Sequence, residues 1–363
     1  MANSKINFAG ITSYIPEAVT ELKDLIKTAA FEHPDFRAMV SIVDEITHGK
    51  RVGYYGKLGD IGMKKGATAC TLNEITASIT TTEKTWECNK WDTRLIWCAD
   101  DIVNTVAAKG LKKGINRYDM TDTEYMDLIG QLVTEAILEL YARVVWFGDK
   151  LAANTDDSPA GVITATKDVK YINFVNGLFK QAYGIIAAAP TQRVNLSTYN
   201  GQASYAQQKS SLSNANALIA IQNMVLTAPM ALRQELLNGN YMIKCTQLLF
   251  DKVAANFKAF ELESMRADLE NGLTGIRIEG VVVTPNPSWD QMINEWENDG
   301  TKWHDPYRAL LYSVDNALVG VPSISEWGNF EVFYDRKDKK VYIDMEDAVD
   351  TKFAQDSLIM FAV

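Results

Sequence analysis

The side chains of this sequence best suited to chemistry are few and scattered. The three histidines are His33, His48 and His304. None lies in an H-E-x-x-H pattern, and none stands at zinc spacing from a cysteine. His304 and Asp305 would make a general acid and base on a loop, but adjacent side chains rarely face each other, so a surface or contact role is the plainer reading. Asp100-Asp101 and Asp156-Asp157 suit a hard cation, yet neither extends into D-x-[DN]-x-[DN]-G, and helix capping or a solvated turn accounts for them. The stretch GDIGMKKGAT has Lys64 where a phosphate loop starting at Gly59 needs its second glycine, and it also fails G-x-G-x-x-G. No G-x-S-x-G elbow occurs. Trp86, Trp91 and Trp97 lie close together. They suit an aromatic platform for sugars or bases, or the packing of a sheet or subunit contact, which is the commoner use of large aromatics. The sequence therefore assigns no catalytic residue, no cofactor-binding residue and no metal site, and it predicts a protein that is not an enzyme.

The elements that would position such residues show a different emphasis. Thr121 is a good N-cap with Glu124 as capping-box partner, and apolar residues at Tyr125, Ile129, Leu132, Val133, Ala136, Ile137, Leu140 and Val144 follow at helical spacing. They predict one helix over 122–147, roughly 40 Å at ~1.5 Å per residue, stopped by Gly148. On this phase Ala136 lies in the buried stripe, where a carboxylate would not be tolerated. Pro16 starts a helix over 15–31, which His33-Pro34 ends. AMVSIVDEIT reads as a strand. From His48 to Thr68 run six glycines with Lys50, Arg51, Lys57, Lys64 and Lys65 against Asp60 alone, which predicts a mobile basic hairpin or loop. The Thr/Ile/Trp-rich segment 73–98 reads as long β structure, and ADDIVNTVAAKG as a short helix.

Beyond Gly148, 172–189 reads as a helix and 195–214, polar throughout, as a long exposed loop. Two helices broken at Pro229 follow, then a strand at 241–247, a helix at 248–260, one strand over 275–285 and a helix at 288–298. The C-terminal part is β-rich. Phe330, Val332 and Tyr334 alternate on one arm of a hairpin and Val341, Ile343 and Met345 on the other, with DSLIMFAV as a last, buried strand. Helices and strands alternate irregularly, so the class is α+β.

The chain has 363 residues, enough for about two domains, and a formal net charge of −10. An acidic chain is a poor direct binder of a phosphate backbone, although it can enclose one. No apolar run approaches the ~18 residues of a membrane span, and the N-terminal sequence lacks a signal-peptide pattern. Cys70, Cys88, Cys98 and Cys245 form no C-x-x-C pair, and reduced thiols are expected.

The order of parts resembles the major capsid proteins of tailed bacteriophages, the Hong Kong 97-type fold. It comprises an N-terminal helical arm, a glycine-rich loop flanked by strands, a long helix ending in ARVVWFGD, a mixed domain, and a close running from SVDNALVGV to LIMFAV. The resemblance implies an N-terminal arm over 1–38 and an extended loop with flanking strands over 39–98. It implies a peripheral domain with its spine helix over 99–159, an axial domain over 160–325, and strands over 326–363 that return to the peripheral domain. It also implies a subunit that partners itself in pentamers and hexamers of an icosahedral head. That head would enclose double-stranded DNA without sequence-specific binding, in a virion assembled in the host bacterial cytoplasm without a membrane. Only about fourteen residues precede the first predicted helix, so a separate scaffolding protein is expected, together with a portal and decoration proteins. Encapsulin shells, which hold cargo enzymes, resemble the same fold, and a soluble α+β hydrolase or glycan-binding protein is the reading outside it.

Overall fold

The structure, a computed structural model, describes residues 31, 33–55, 81–98, 123–152, 163–236, 239–259, 266–268, 274–324, 328–335 and 340–363. The helix over 15–30, the helix at 99–110, Thr121, the acidic pairs 100–101 and 156–157, and most of the glycine-rich segment lie outside the described residues. The α+β class holds, with three sheets in the described part.

The largest sheet has seven strands. They are β5 (Arg193–Val194), β6 (Tyr241–Cys245), β7 (Arg266–Asp268), β8 (Thr274–Ile278), β9 (Val281–Pro285), β10 (Ala309–Ser313) and β14 (Met360–Ala362), in the order β5-β14-β10-β6-β9-β8-β7. A second sheet runs β1 (Ser41–Val43), β11 (Ala317–Gly320), β13 (Lys340–Phe353), β12 (Asn329–Asp335), with β4 (Asn89–Cys98) also paired to β13. The third consists of β2 (Arg51–Tyr55) and β3 (Thr81–Thr85) alone.

The seven-stranded sheet separates two apolar cores because its side chains alternate. Leu310 and Tyr312 of β10, with Phe361 of β14, face one core. Ala309 and Leu311, with Met360 and Ala362, face the other. The first core receives helices α1 (Thr123–Phe147), α2 (Leu178–Ala188) and α6 (Pro287–Trp296). The second receives α3 (Asn214–Leu226), α4 (Met230–Leu236) and α5 (Gln247–Ala259). Asp290 of α6 joins the layers: its carboxylate accepts from the Gln247 and Leu248 amides at 2.5 and 3.1 Å, capping the start of α5.

Helix α1 is as long as its periodicity predicts, 25 residues ending at Phe147. Its phase differs. Val133, Ile137, Tyr141 and Val144 are buried, whereas Leu132 is 56 % exposed and Ala136 also faces outward. Tyr141 carries the stripe: its ring lies 4.6 Å from that of Phe31, and its hydroxyl reaches the Asp347 carboxylate at 3.4 Å. That aromatic occupies the buried side and turns Ala136 toward solvent. The last turn is wholly buried, Trp146 packing on Trp289 at 4.7 Å and Phe179 at 5.5 Å.

Gly148 stops this helix for a steric reason. A Cβ there would lie 2.5 Å from the Val144 carbonyl oxygen and 2.7 Å from that of Val175. Gly177 fits against the same turn, its own Cβ position being 2.7 Å from the Gly148 nitrogen, and its amide donates to the Gly148 carbonyl at 2.7 Å. The two glycines let the chain reverse in backbone contact.

Three predicted elements differ from what is observed. Residues 195–214 are not a loop but two short helices, Ser197–Asn200 and Tyr205–Ser211. Asn200 exchanges two hydrogen bonds with the Tyr307 backbone, and Gln208 bonds the Asn200 and Trp303 carbonyls at 2.7 Å, so polar residues are buried with their groups satisfied. The helix expected from 172 begins only at Leu178, after a 3₁₀ turn and an irregular stretch. The single strand over 275–285 is a hairpin, β8 and β9, turning through Glu279 and Gly280 at φ 48° and 84°. The other predicted elements that fall on described residues occur within a few residues of their places, except that the first strand is only Ser41–Val43 and the long β segment is broken at 86–88 into β3 and β4; the helical turn Pro34–Arg37 and the strands β5 and β7 have no predicted counterpart. The closing hairpin pairs Phe330 with Met345 and Val332 with Ile343.

Gly148→Ala is expected to cost on the order of 3 kcal/mol or more, because the clash is with backbone that cannot rotate aside. Urea unfolding of the soluble fraction, or loss of that fraction, checks it. Ala136→Asp, on the exposed side, is expected to change stability by less than about 0.5 kcal/mol in the same measurement.

Candidate assembly surface

The isolated hairpin of β2 and β3 is the most unusual part of the described surface. A two-stranded sheet is marginal in water without a layer to pack on. Arg51 and Gly53 of β2 and Glu83 and Thr85 of β3 are exposed. Its five paired positions run from Arg51↔Thr85 to Tyr55↔Thr81, and Arg51 bonds Glu83 at 2.5 Å on the exposed side.

The root of the hairpin is packed against the body. Trp86 is 1 % exposed and packs with Ile46 and Leu318. Its backbone exchanges hydrogen bonds with Gly49 and Lys50 at 2.9 Å each. Gly320 of β11 makes room for the indole: a Cβ there would lie 2.8 Å from the Trp86 ring and 2.9 Å from Ile46. Lys84 ties β3 to the body, donating to the Phe353 carbonyl at 2.6 Å and to the Asp356 carboxylate at 2.5 Å. Beyond the indole, the Glu87 amide donates to Asp350 at 2.7 Å, and Lys150 pairs with the Glu87 carboxylate. That hydrogen bond from Lys150 holds the Glu87 carboxyl below its ordinary range, whereas burial raises Asp350.

Other apolar groups reach the surface. A groove of about 670 Å³ lies between α1 and β4, with Trp91, Leu95, Ile137, Leu140, Tyr171 and Phe174 in its walls. At the elbow between α3 and α4, bent by 96°, Ile219, Leu226 and Met230 are half or more exposed.

The residues first considered for chemistry are not brought together. His33, His48 and His304 lie in three separate connecting segments. The carboxylate of Asp305 accepts from the Tyr183 hydroxyl at 2.5 Å, and the Nε2 of His304 is buried without a hydrogen-bond partner. Among the described residues no group of three His, Cys, Asp or Glu side chains is placed to hold a metal ion. Trp86 and Trp91 are buried and form no exposed platform; Trp97 lies in β4. Cys88 is a half-buried free thiol and Cys245 a buried one. Sequence reading missed Lys84, whose partner Asp356 is 272 positions away and gives no local signal.

Lys84→Met is expected to raise amide hydrogen exchange across 51–55 and 81–85 while leaving the thermal midpoint of the body in place. Exchange mass spectrometry with a parallel melting curve measures both.

No family model matches the chain, and no curated protein matches it. Among solved structures, it is similar over 97 % of its length to 98 % of a chain of the satellite phage P4 procapsid including size determination protein, at 11 % identity and a TM-score of 0.49. A chain of Gordonia phage Cozz is similar over 94 % of this chain and 86 % of its own, at 12 % identity and a TM-score of 0.45. The holo encapsulin complex of Synechococcus elongatus is similar over 89 % and 84 %, at 10 % identity and a TM-score of 0.45.

Proposed function

We propose that this chain is the structural subunit of an icosahedral phage head, assembling with copies of itself as pentamers and hexamers into a shell around double-stranded DNA. The observation that carries the reading is the hairpin of β2 and β3, a sheet of two strands tied to the body at its root and paired with no other strand among the described residues. A neighbouring copy would supply the layer it needs. The long helix then serves as a beam seated in the core through its buried Trp146 turn, stiffening a thin subunit along its length.

In this reading 1–38 is the arm, 39–98 the extended loop with its strands, 99–159 with 326–363 the peripheral part, and 160–325 the axial part. The net charge of −10 suits a wall that confines DNA rather than grips it. A scaffolding protein, a portal and decoration proteins would be its other partners, and the virion, built in the bacterial cytoplasm, its location. No catalytic step belongs to the reading.

Size-exclusion chromatography with light scattering, followed by electron microscopy, tests it. Particles of on the order of hundreds of copies filled with DNA are expected in the native source, and pentamers, hexamers or aberrant shells from the purified chain alone. Particles filled with a protein cargo would instead make it an encapsulin-type shell. A stable monomer or dimer at every concentration and salt, with no shells in the source, would remove the proposal.

A further inference from the structure

A cleft of about 550 Å³ separates the hairpin from α2. One wall is β3, which contributes Glu83, Lys84 and Thr85 in succession. Successive residues of a strand point to opposite faces, so what the three present together to the cleft is the edge of the strand. Its other edge is taken by β2, and β3 pairs with no further strand among the described residues. The opposite wall is the outward face of α2, Gln181, Gly184, Ile185 and Ala188, which carries no charge. The inward face of the same helix, with Phe179, Ala182 and Ile186, is buried in the first core, so this wall is fixed.

Three features suit the two walls to each other. Gly184 and Ala188 stand one helical turn apart and keep side chains short where a strand would approach, and a Cβ at Gly184 would meet nothing within 4 Å. Gly49, between the root of the hairpin and β2, stands at φ 83° with open space around it, a conformation that leaves the chain free to turn there. Asp356, which also lines the cleft, already links the two sides. Its carboxylate accepts from Lys84 of β3 at 2.5 Å, and its backbone carbonyl accepts from Gln192, just beyond α2, at 2.6 Å.

An uncovered strand edge is a template for pairing with any other chain, and proteins hide such edges beneath helices. We propose that α2 is the cover for the edge of β3. In the free chain the hairpin swings about its root at Trp86, the cleft closes, and the edge lies against the uncharged face of the helix. An uncharged wall is what such closure needs, because a charged one would have to be stripped of water. On assembly the hairpin lifts and gives the same edge to a neighbouring copy. This second step rests on the hairpin being a contact between subunits, whereas closure in the free chain rests on the cleft alone.

Hydrogen exchange of the full chain, free in solution, reads closure in the amides of 81–85. The cleft already holds three carboxylates, Glu83, Glu87 and Asp356, against the two ammonium groups of Lys84 and Lys352. Gly184→Glu adds a fourth carboxylate in open space, which opposes closure without a clash in the open form. Exchange at 81–85 is expected to rise roughly tenfold, the loss of a closed state that leaves about 10 % of molecules open, with the thermal midpoint of the body in place. Gly184→Ala should exchange at the wild-type rate. Gly184→Lys treated with a carbodiimide should form an amide between the introduced amine and the Glu83 carboxylate in the free chain, and not in assembled shells. Equal exchange at 81–85 in Gly184→Glu and the wild type, or no amide in the free chain, would overturn the cover. An amide formed equally in free chain and shells would overturn the lifting step. Absence of shells would count against the phage-head reading and not against closure, which is measured without them.

Discussion

The contact on which the remaining packing depends is the meeting of two backbones at Gly148 and Gly177. The chain leaves the long helix with no space for even one methyl group, the nearest carbonyl oxygen standing 2.5 Å from where it would be. That closeness sets the distance between α1 and α2, which face the same aromatic core through Trp146, Phe147 and Phe179 with Trp289, Tyr312 and Phe361 around them. Ring pairs of this kind add about 0.5–1.5 kcal/mol each beyond their burial, but only at the right separation. The reversal at Gly148 therefore acts on stability through several contacts at once. It also fixes the C-terminal end of the long helix, whose last turn is wholly buried.

A body held in this way can carry a hairpin that is not self-sufficient. The hairpin of β2 and β3 has few contacts of its own, and its attachments are of two physical kinds. Trp86 is apolar and seated against a glycine, so it resists displacement at any salt concentration. Lys84 and Lys150 act through ion pairs whose partners, Asp356 and Glu87, are about half exposed, so they weaken as salt is added. The hairpin is consequently held at its root by one contact that salt does not weaken and by ion pairs that it does.

Much of the architecture was legible in the sequence because long periodic segments announce themselves. The 25-residue helix, the break at Pro229 and the closing hairpin each rest on a local pattern or a local breaker. The misreadings share one cause, namely tertiary satisfaction of residues that look solvated. Residues 195–214 are polar because Asn200 and Gln208 bond backbone groups of 303 and 307, about a hundred positions away, and nothing nearby in sequence signals it. The helix phase failed in the same way, since Tyr141 counted for less than the aliphatic residues around it, yet sits 2 % exposed against Phe31. The candidate assembly surface was half legible. Glycine and lysine marked the region of the hairpin, but its clasp, Lys84 on Phe353 and Asp356, joins distant segments of the chain.

The absence of local signal has a common logic with the distribution of charge. Polar groups in this fold are used in two ways that composition cannot separate. On the outside, Arg51, Lys90 and Arg94 pair with Glu83, Glu346 and Asp344 across neighbouring strands, where each pair contributes little and chiefly keeps strands in register. Inside, Asp290, Asp350 and Glu297 are all raised by burial, so they bind protons more readily in the folded chain than in the unfolded one. Stability contributed by such groups is complete below their ordinary values of 3.8 to 4.5 and is lost as the pH climbs from there through the raised ones. An acidic chain is usually expected to gain from alkali through its surface carboxylates, but here the buried ones pull the other way. The buried carboxylates are those that join layers: Asp290 caps α5 from α6, Asp350 holds the root of the hairpin, and Glu297 meets Arg308 at the end of the central sheet. The pH response of the body is therefore set at its seams, by a few side chains that a count of charges would treat as surface.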